Sequence, residues 1–343
     1  MEADEPITVL VIGGAGFIGS AVVRELISTR SCRVIATSRN SRVAQDPSSY
    51  GPRWVSCDVM DQRSVVAATV GVDCVINCYR DDAGEAESAK AIANVLDACE
   101  INHVRKLVYL SSIAVYGAAG GDVDEWTPPS APISWYGRAK SRAERACEKR
   151  ASPSLNVAIL RPTLVYGPAG EEWFLRFARS IACGALGNIG QNGEGIANLI
   201  YVGDLARMCS KLARSSVPRF SICIANGSER VTFNRYFDEI SGALGAARNQ
   251  PSSGSRLLRN VASICRRPAR GLLKILRLIS RPAPSGLLEP MLGRAAKLIE
   301  QRPEDIVAYG YRDLTYYSPA YARTLGLEST TTLAAGVANS VRQ

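Results

Sequence analysis

The chain has 343 residues, 46% of them hydrophobic, enough for one large domain or two coupled ones with a sizeable core. No apolar stretch approaches the ~20 residues of a membrane span, and the acidic, polar start from Met1 to Pro6 does not read as a secretory leader. Ten cysteines without paired spacing indicate a reduced, cytoplasmic protein, and a single histidine, His103, excludes a His-rich metal site and argues against a Ser-His-Asp triad.

From the amino end, Thr8–Ile12 is a short β-branched, apolar run suited to a strand buried on both faces. Gly13, Gly16 and Gly19 follow, then Ala21–Ile27 with apolar residues on one helical side. Strand, glycine turn and helix make a phosphate cradle. Gly13 allows the tight turn, Gly16 lets the backbone approach a pyrophosphate, and Gly19 lets the helix pack on the strand. The helix start at Phe17 and Ile18 offers free N–H groups to the anion. The next strand, Arg33–Thr37, ends at Ser38-Arg39, where a site for NAD places an acid on the ribose hydroxyls. No carboxylate stands there, and Arg39, assisted by Arg42, can fork onto a 2′-phosphate; this favours NADP over NAD, the alternative being a solvated loop cation.

The third strand, Arg53–Cys57, ends at Asp58-Val59, where an adenine ring would lie. Asp58 can accept from its amino group or cap the next helix, for which Asp61 is better placed. Strand-like runs at Cys74–Asn77, Lys106–Ser111, Val157–Arg161 and Phe220–Ala225 then alternate with helical patterns at Gln62–Val70, Glu85–Asn102, Trp135–Ala151 and Asp204–Arg214. His103 reads as the end of a helix. Cys57, Cys74, Cys78, Cys209 and Cys223 fall inside or beside these elements as small apolar fillers. The alternation predicts an α/β, Rossmann-type doubly wound parallel sheet with its chemistry at the strands' carboxyl ends. Residues 1–168 form the dinucleotide-binding domain, with the sheet completed by about 200–226; residues 169–199 and 227–343 form a smaller, interleaved, mainly helical substrate-binding region. Within it Glu171–Cys183, Val231–Leu244 and the tail Pro319–Val341 read as helical.

Two stretches carry acid–base chemistry. The strand from Leu107 runs into Ser111-Ser112, and Tyr136 and Lys140 stand four apart on a helical pattern, on one face. A phenol is a poor base at neutral pH; an ammonium beside it stabilises the phenolate. Ser112, at a strand's carboxyl end, can bond the same substrate oxygen. Between Ser241 and Leu288 there are nine cations and no acid, and from Arg270 to Arg281 they alternate with leucine and isoleucine in a basic amphipathic pattern. The stretch 256–281 reads as a helix packed in the second region with its cations solvated or near substrate phosphates; the alternative is peripheral contact with an anionic membrane. Nucleic acid is not expected, because no aromatics interleave with the cations.

Taken together, the chain resembles the extended short-chain dehydrogenase/reductase family, the NAD(P)-dependent sugar epimerase/dehydratase group. The resemblance rests on the glycine turn, Asp58-Val59, Ser111-Ser-Ile-Ala-Val-Tyr-Gly117, Tyr136 with Lys140, Leu160-Arg-Pro-Thr-Leu-Val-Tyr-Gly-Pro168 and Tyr201-Val-Gly-Asp-Leu-Ala206. It implies that Tyr136 is the acid/base, that Lys140 binds the nicotinamide ribose and tunes Tyr136, that Ser112 orients the reacting hydroxyl, and that Pro162 lines the nicotinamide pocket. The implied substrate is a sugar on a nucleoside diphosphate, the implied reaction epimerisation, and the implied assembly a homodimer. The alternatives are a net NADP-dependent ketoreductase and a catalytically silent NADP-binding regulator. The chain departs from the family pattern in three places. Ile113 and Ala114 stand where dehydratases carry an acidic pair, Tyr79 and Arg80 where the fourth strand ends in alanines, and Ala197-Asn198 where 4-epimerases carry a diphosphate-binding arginine.

Overall fold

A computed structural model describes residues 6–39, 51–80, 84–132, 134–184, 186–246 and 313–342. Seven strands form one sheet: β1 (Ile7–Ile12), β2 (Cys32–Ser38), β3 (Arg53–Ser56), β4 (Cys74–Asn77), β5 (Lys106–Leu110), β6 (Asn156–Pro162) and β7 (Phe220–Ala225). Their order is β7-β6-β5-β4-β1-β2-β3, and every neighbouring pair is parallel. The order reverses between β1 and β4, the switch point at which open α/β sheets bind ligands. The Rossmann-type sheet expected from the alternating pattern is the one that forms.

Among the described residues the helices are α1 (Phe17–Thr29), α2 (Gln62–Ala68), α3 (Glu85–Ile101), α4 (Trp135–Arg150), α5 (Arg176–Ala182), α6 (Val202–Arg214), α7 (Phe233–Leu244), α8 (Ala320–Thr324) and α9 (Leu333–Val341). Side chains alternate along β1: Val9 and Val11 pack with α1 and α6, while Leu10 and Ile12 enter the core that holds α2, α3 and α4. Both faces are covered, which is why the strands read as unbroken apolar runs. Asp61 caps α2, its carboxylate accepting from the Arg63 N–H. His103 has φ 53°, and with Val104 it closes the end of α3: their N–H groups donate to Glu100 O and Cys99 O. Two of the fillers, Cys74 and Cys223, are buried, which pushes their thiols up to about 12.

The described residues fall into two compact units. The first comprises Met1–Phe174, Ile196–Val231 and Leu314–Gln343. The tail, read from sequence with the substrate region, therefore groups with the sheet. Tyr316–Tyr317 adds in parallel to Asp122–Val123, and the buried amides of Asn198 and Asn226 bond the backbone of Thr315 and Tyr317. The Glu125 carboxylate accepts from the Tyr321 and Ala322 N–H groups at the start of α8. The second unit comprises Leu175–Gly195 and Thr232–Asp313. In it α5 packs on α7 through Phe177, Tyr236 and Phe237, the Phe177 and Phe237 rings 5.0 Å apart. The helix expected over Glu171–Cys183 is divided into a π-helical turn, Glu171–Leu175, and α5. The basic stretch 256–281 and Arg42 lie outside the described residues. Among the described residues no helix is long and apolar enough to cross a membrane.

Candidate active site

Gly13, at the end of β1, has φ +77°, a conformation that favours glycine. Its N–H donates to Thr37 Oγ1 on β2, and its carbonyl accepts from the Gly16 N–H. A Cβ on Gly19 would lie 2.1 Å from the Gly13 carbonyl oxygen, so α1 approaches the turn as closely as backbone permits. Gly16 is the N-cap of α1 and supplies no side chain to its first turn. The N–H groups at the start of that helix have no helical carbonyl to meet, and they stand at the switch point. A dinucleotide pyrophosphate fits this cradle.

A cleft of about 570 Å³ opens there, lined by Gly13, Gly16, Phe17, Ile18, Gly19, Arg39 and Val59. Thr37 and Ser38, on the end of β2, form its wall beside Arg39. Asp58 does not line it. That carboxylate is turned to its own backbone and accepts from the Met60 N–H, while the adjacent Val59 faces the cleft and its carbonyl accepts from Asn94.

A second cleft, of about 660 Å³, shares Phe17, Ile18, Cys78, Tyr79 and Arg80 with the first. Both belong to the first unit. The second gathers Ser112, Tyr136, Lys140 and Pro162, so the residues singled out for chemistry meet the glycine turn across a common wall. Ser112 caps a short 3-10 turn, Ile113–Tyr116, its Oγ accepting from the Ala114 N–H; its own hydrogen can go to a ligand. Ser134 caps α4 by accepting from the Gly137 N–H and so fixes where Tyr136 and Lys140 begin. Lys140 is buried. Its ammonium donates to Leu110 O at 2.7 Å and to the Tyr109 hydroxyl at 3.3 Å, and it lies 5.8 Å from the centre of the Tyr136 ring. Burial, and then the charge of Arg80, lower its pKa to about 8. Burial also raises the Tyr109 phenol well above its ordinary range.

Beneath the cleft lies a buried ion pair that sequence reasoning did not single out. The Arg161 guanidinium, 2% exposed, forks onto Glu144 at 2.9 and 2.7 Å. Ser111 Oγ donates to the same carboxylate at 2.5 Å, and Arg161 also donates to the Tyr116 hydroxyl. Arg161 precedes Pro162, Ser111 precedes Ser112, and Glu144 stands one turn beyond Lys140, so one network ties together the three elements that line the cleft. A signal was present: an arginine inside the apolar run of β6 requires a buried partner. Glu172, Trp173 and Tyr317 also line the cleft. Asn198, in the place of the expected diphosphate arginine, is buried and bonds the tail.

The NAD dependent epimerase/dehydratase family model matches residues 9–223. The N-acetyl-alpha-D-glucosaminyl-diphospho-ditrans,octacis-undecaprenol 4-epimerase of Escherichia coli O157:H7 is 27% identical over 57% of this chain and 60% of its own length. The chain thus spans less than two thirds of that relative. The 2-alkyl-3-oxoalkanoate reductase of Stenotrophomonas maltophilia is 26% identical over 83% of this chain and 88% of its own. A solved UDP-glucose 4-epimerase of Thermotoga maritima, with UDP-glucose, is similar in fold: TM-score 0.67 at 19% identity over 98% of both chains.

Proposed function

Because the chain belongs to the NAD dependent epimerase/dehydratase family, we propose that it epimerises a secondary alcohol of a sugar carried on a diphosphate, using a nicotinamide dinucleotide. The observation that carries this reading is the common wall between the glycine-turn cleft and the cleft holding Ser112, Tyr136 and Lys140. The glycine turn, with Phe17 and Ile18, binds the pyrophosphate, and Val59 and Arg39 flank the adenosine end. Once bound, the dinucleotide supplies hydride acceptance and return. The chain's own residues handle the proton. Tyr136, as phenolate, takes the proton of the substrate hydroxyl while Ser112 donates to the same oxygen. Lys140 holds the phenolate and the nicotinamide ribose. After the ketone has turned its other face, Tyr136 returns the proton. Ile113 and Ala114, both lining the cleft, offer no carboxylate beside the reacting carbon, which favours epimerisation over elimination of water.

The diphosphate is joined to a nucleoside or, as the name of the E. coli relative suggests, to a lipid; in the second case the basic stretch 256–281 docks the cytoplasmic enzyme at a membrane surface. A second reading, a net NADP-dependent ketoreductase, is supported by Arg39 in the wall of the first cleft and by the long match to the reductase. Tyr136→Phe tests the shared chemistry: turnover should fall ~10²–10⁴-fold with dinucleotide binding, read by nicotinamide fluorescence, nearly intact. Near-normal turnover would sink the assignment. A panel of UDP-sugars and undecaprenyl diphosphate sugars separates epimerisation from net reduction, since only the latter consumes NADPH.

A further inference from the structure

Arg80 follows the end of β4, where the family pattern has a small residue. Its guanidinium carbon lies 5.8 Å from the centre of the Tyr136 ring. Lys140 Nζ lies 5.8 Å from the same centre. The phenol is therefore approached by two cations from two different elements, each within the ~6 Å at which a cation and an aromatic ring attract. Arg80 is also held from outside: its Nη1 and Nη2 donate to Glu172 Oε2 and Oε1 at 3.2 and 2.7 Å. Both partners are about half exposed, at 46% and 54%.

We infer that Arg80 is a positioning residue for Tyr136: it holds the ring and supplies a second positive charge that favours the phenolate, with Glu172 setting how much of that charge the ring feels. The inference rests on the reading of Tyr136 as the acid/base. Lys140 alone is an uncertain support for a phenolate, because burial leaves it half neutral at about pH 8. A guanidinium does not deprotonate in this range. Arg80 keeps a charge beside the ring where Lys140 loses its own. The arrangement is reciprocal, for the same charge helps push the Lys140 ammonium down. Among the described residues, the titratable and charged groups near Tyr136 include Arg80 from the end of β4, Tyr109 from β5, Lys140 from α4 and, through Arg80, Glu172.

The test needs no substrate. Tyrosinate absorbance of the full chain is followed against pH, and the difference between wild type and Tyr136→Phe isolates one phenol. In Arg80→Ala its midpoint should move up by about one pH unit, the low end of what a neighbouring charge does, because Glu172 and water already screen it. Arg80→Lys should restore part of the shift, a rescue that loss of packing alone does not allow. Glu172→Gln should move the midpoint down, and it serves as the independent arm if Arg80→Ala does not fold. An unmoved midpoint in a folded Arg80→Ala, or no downward shift in Glu172→Gln, overturns the inference. Normal turnover in Tyr136→Phe would remove the acid/base reading and leave this titration as it stands.

Discussion

Two residues of the site make separable demands on solvent and ligand. Arg39 lines the cleft at the end of β2 beside Ser38, with no carboxylate next to it in sequence. If it reads a 2′-phosphate, Arg39→Ala should weaken NADP binding by about 1.5–3 kcal/mol, as loss of a charge-assisted contact does, and leave NAD nearly unchanged. Equal losses for both cofactors in a fluorescence titration would show that it does not. Lys140 couples the site to stability. Its folded pKa, about 8, lies below its ordinary 10.5, so between these values the unfolded chain binds a proton that the folded chain does not. Stability should rise with pH through that window, by a total on the order of 3 kcal/mol at 1.36 kcal/mol per unit. Below about pH 8 both states are charged and the full cost of burying the ammonium is felt. Denaturant unfolding below pH 8 and near pH 10 should show a smaller gain in Lys140→Met than in wild type. The same gain in both would mean that Lys140 pays no such burial cost.

At the scale of the element, α4, β5 and β6 are registered by the Glu144–Arg161 pair. Breaking a buried pair strands a charge and costs about 3–5 kcal/mol, whereas replacing both members with apolar side chains is often near neutral. Glu144→Leu should therefore lower the melting temperature far more than Glu144→Leu combined with Arg161→Met. A double variant no more stable than the single would show that the network does more than neutralise a charge. Legibility in the sequence divides on the same ground. Cys74–Asn77 and Phe220–Ala225 read to the residue, because a continuous apolar run bounded by polar residues leaves a buried parallel strand little freedom. Tyr136 and Lys140 are legible because a helix puts four-apart residues on one face. The tail reads as helical, and its sequence does not show that it is divided into two helices. Gly326 at φ +65° ends α8, and buried Asp204 accepts from the Thr330 and Thr331 backbone N–H groups, drawing the chain into a loop before α9. Glu172 and Tyr317 were not legible, since nothing local says which distant strand or cation they will meet.

For the whole molecule, the excess charge is concentrated in one stretch. Nine cations without an acid between Ser241 and Leu288 account for the whole formal +9 of the chain. Each cation drawn to an anionic surface contributes ~1 kcal/mol, fading within a Debye length. If 256–281 docks the enzyme, co-sedimentation should need phosphatidylserine or phosphatidylglycerol in the vesicles and weaken with salt. No pelleting with anionic vesicles at low salt would assign the cations to substrate phosphates or solvent.

The pairing of Tyr316–Tyr317 with Asp122–Val123 also has a consequence in time. A ribosome adding 5–20 residues per second reaches Tyr317 roughly 10–40 s after Val123. For all but the first few seconds of that interval, roughly 1–3 s at this rate, the nascent chain already carries the glycine turn, Ser112, Tyr136 and Lys140. Asn198 and Asn226, once made, still lack the backbone groups they bond in the finished fold. Dinucleotide capture can thus precede completion of the cleft wall that Tyr317 supplies, so the cofactor is available as a scaffold during synthesis, before there is a finished site in which to use it.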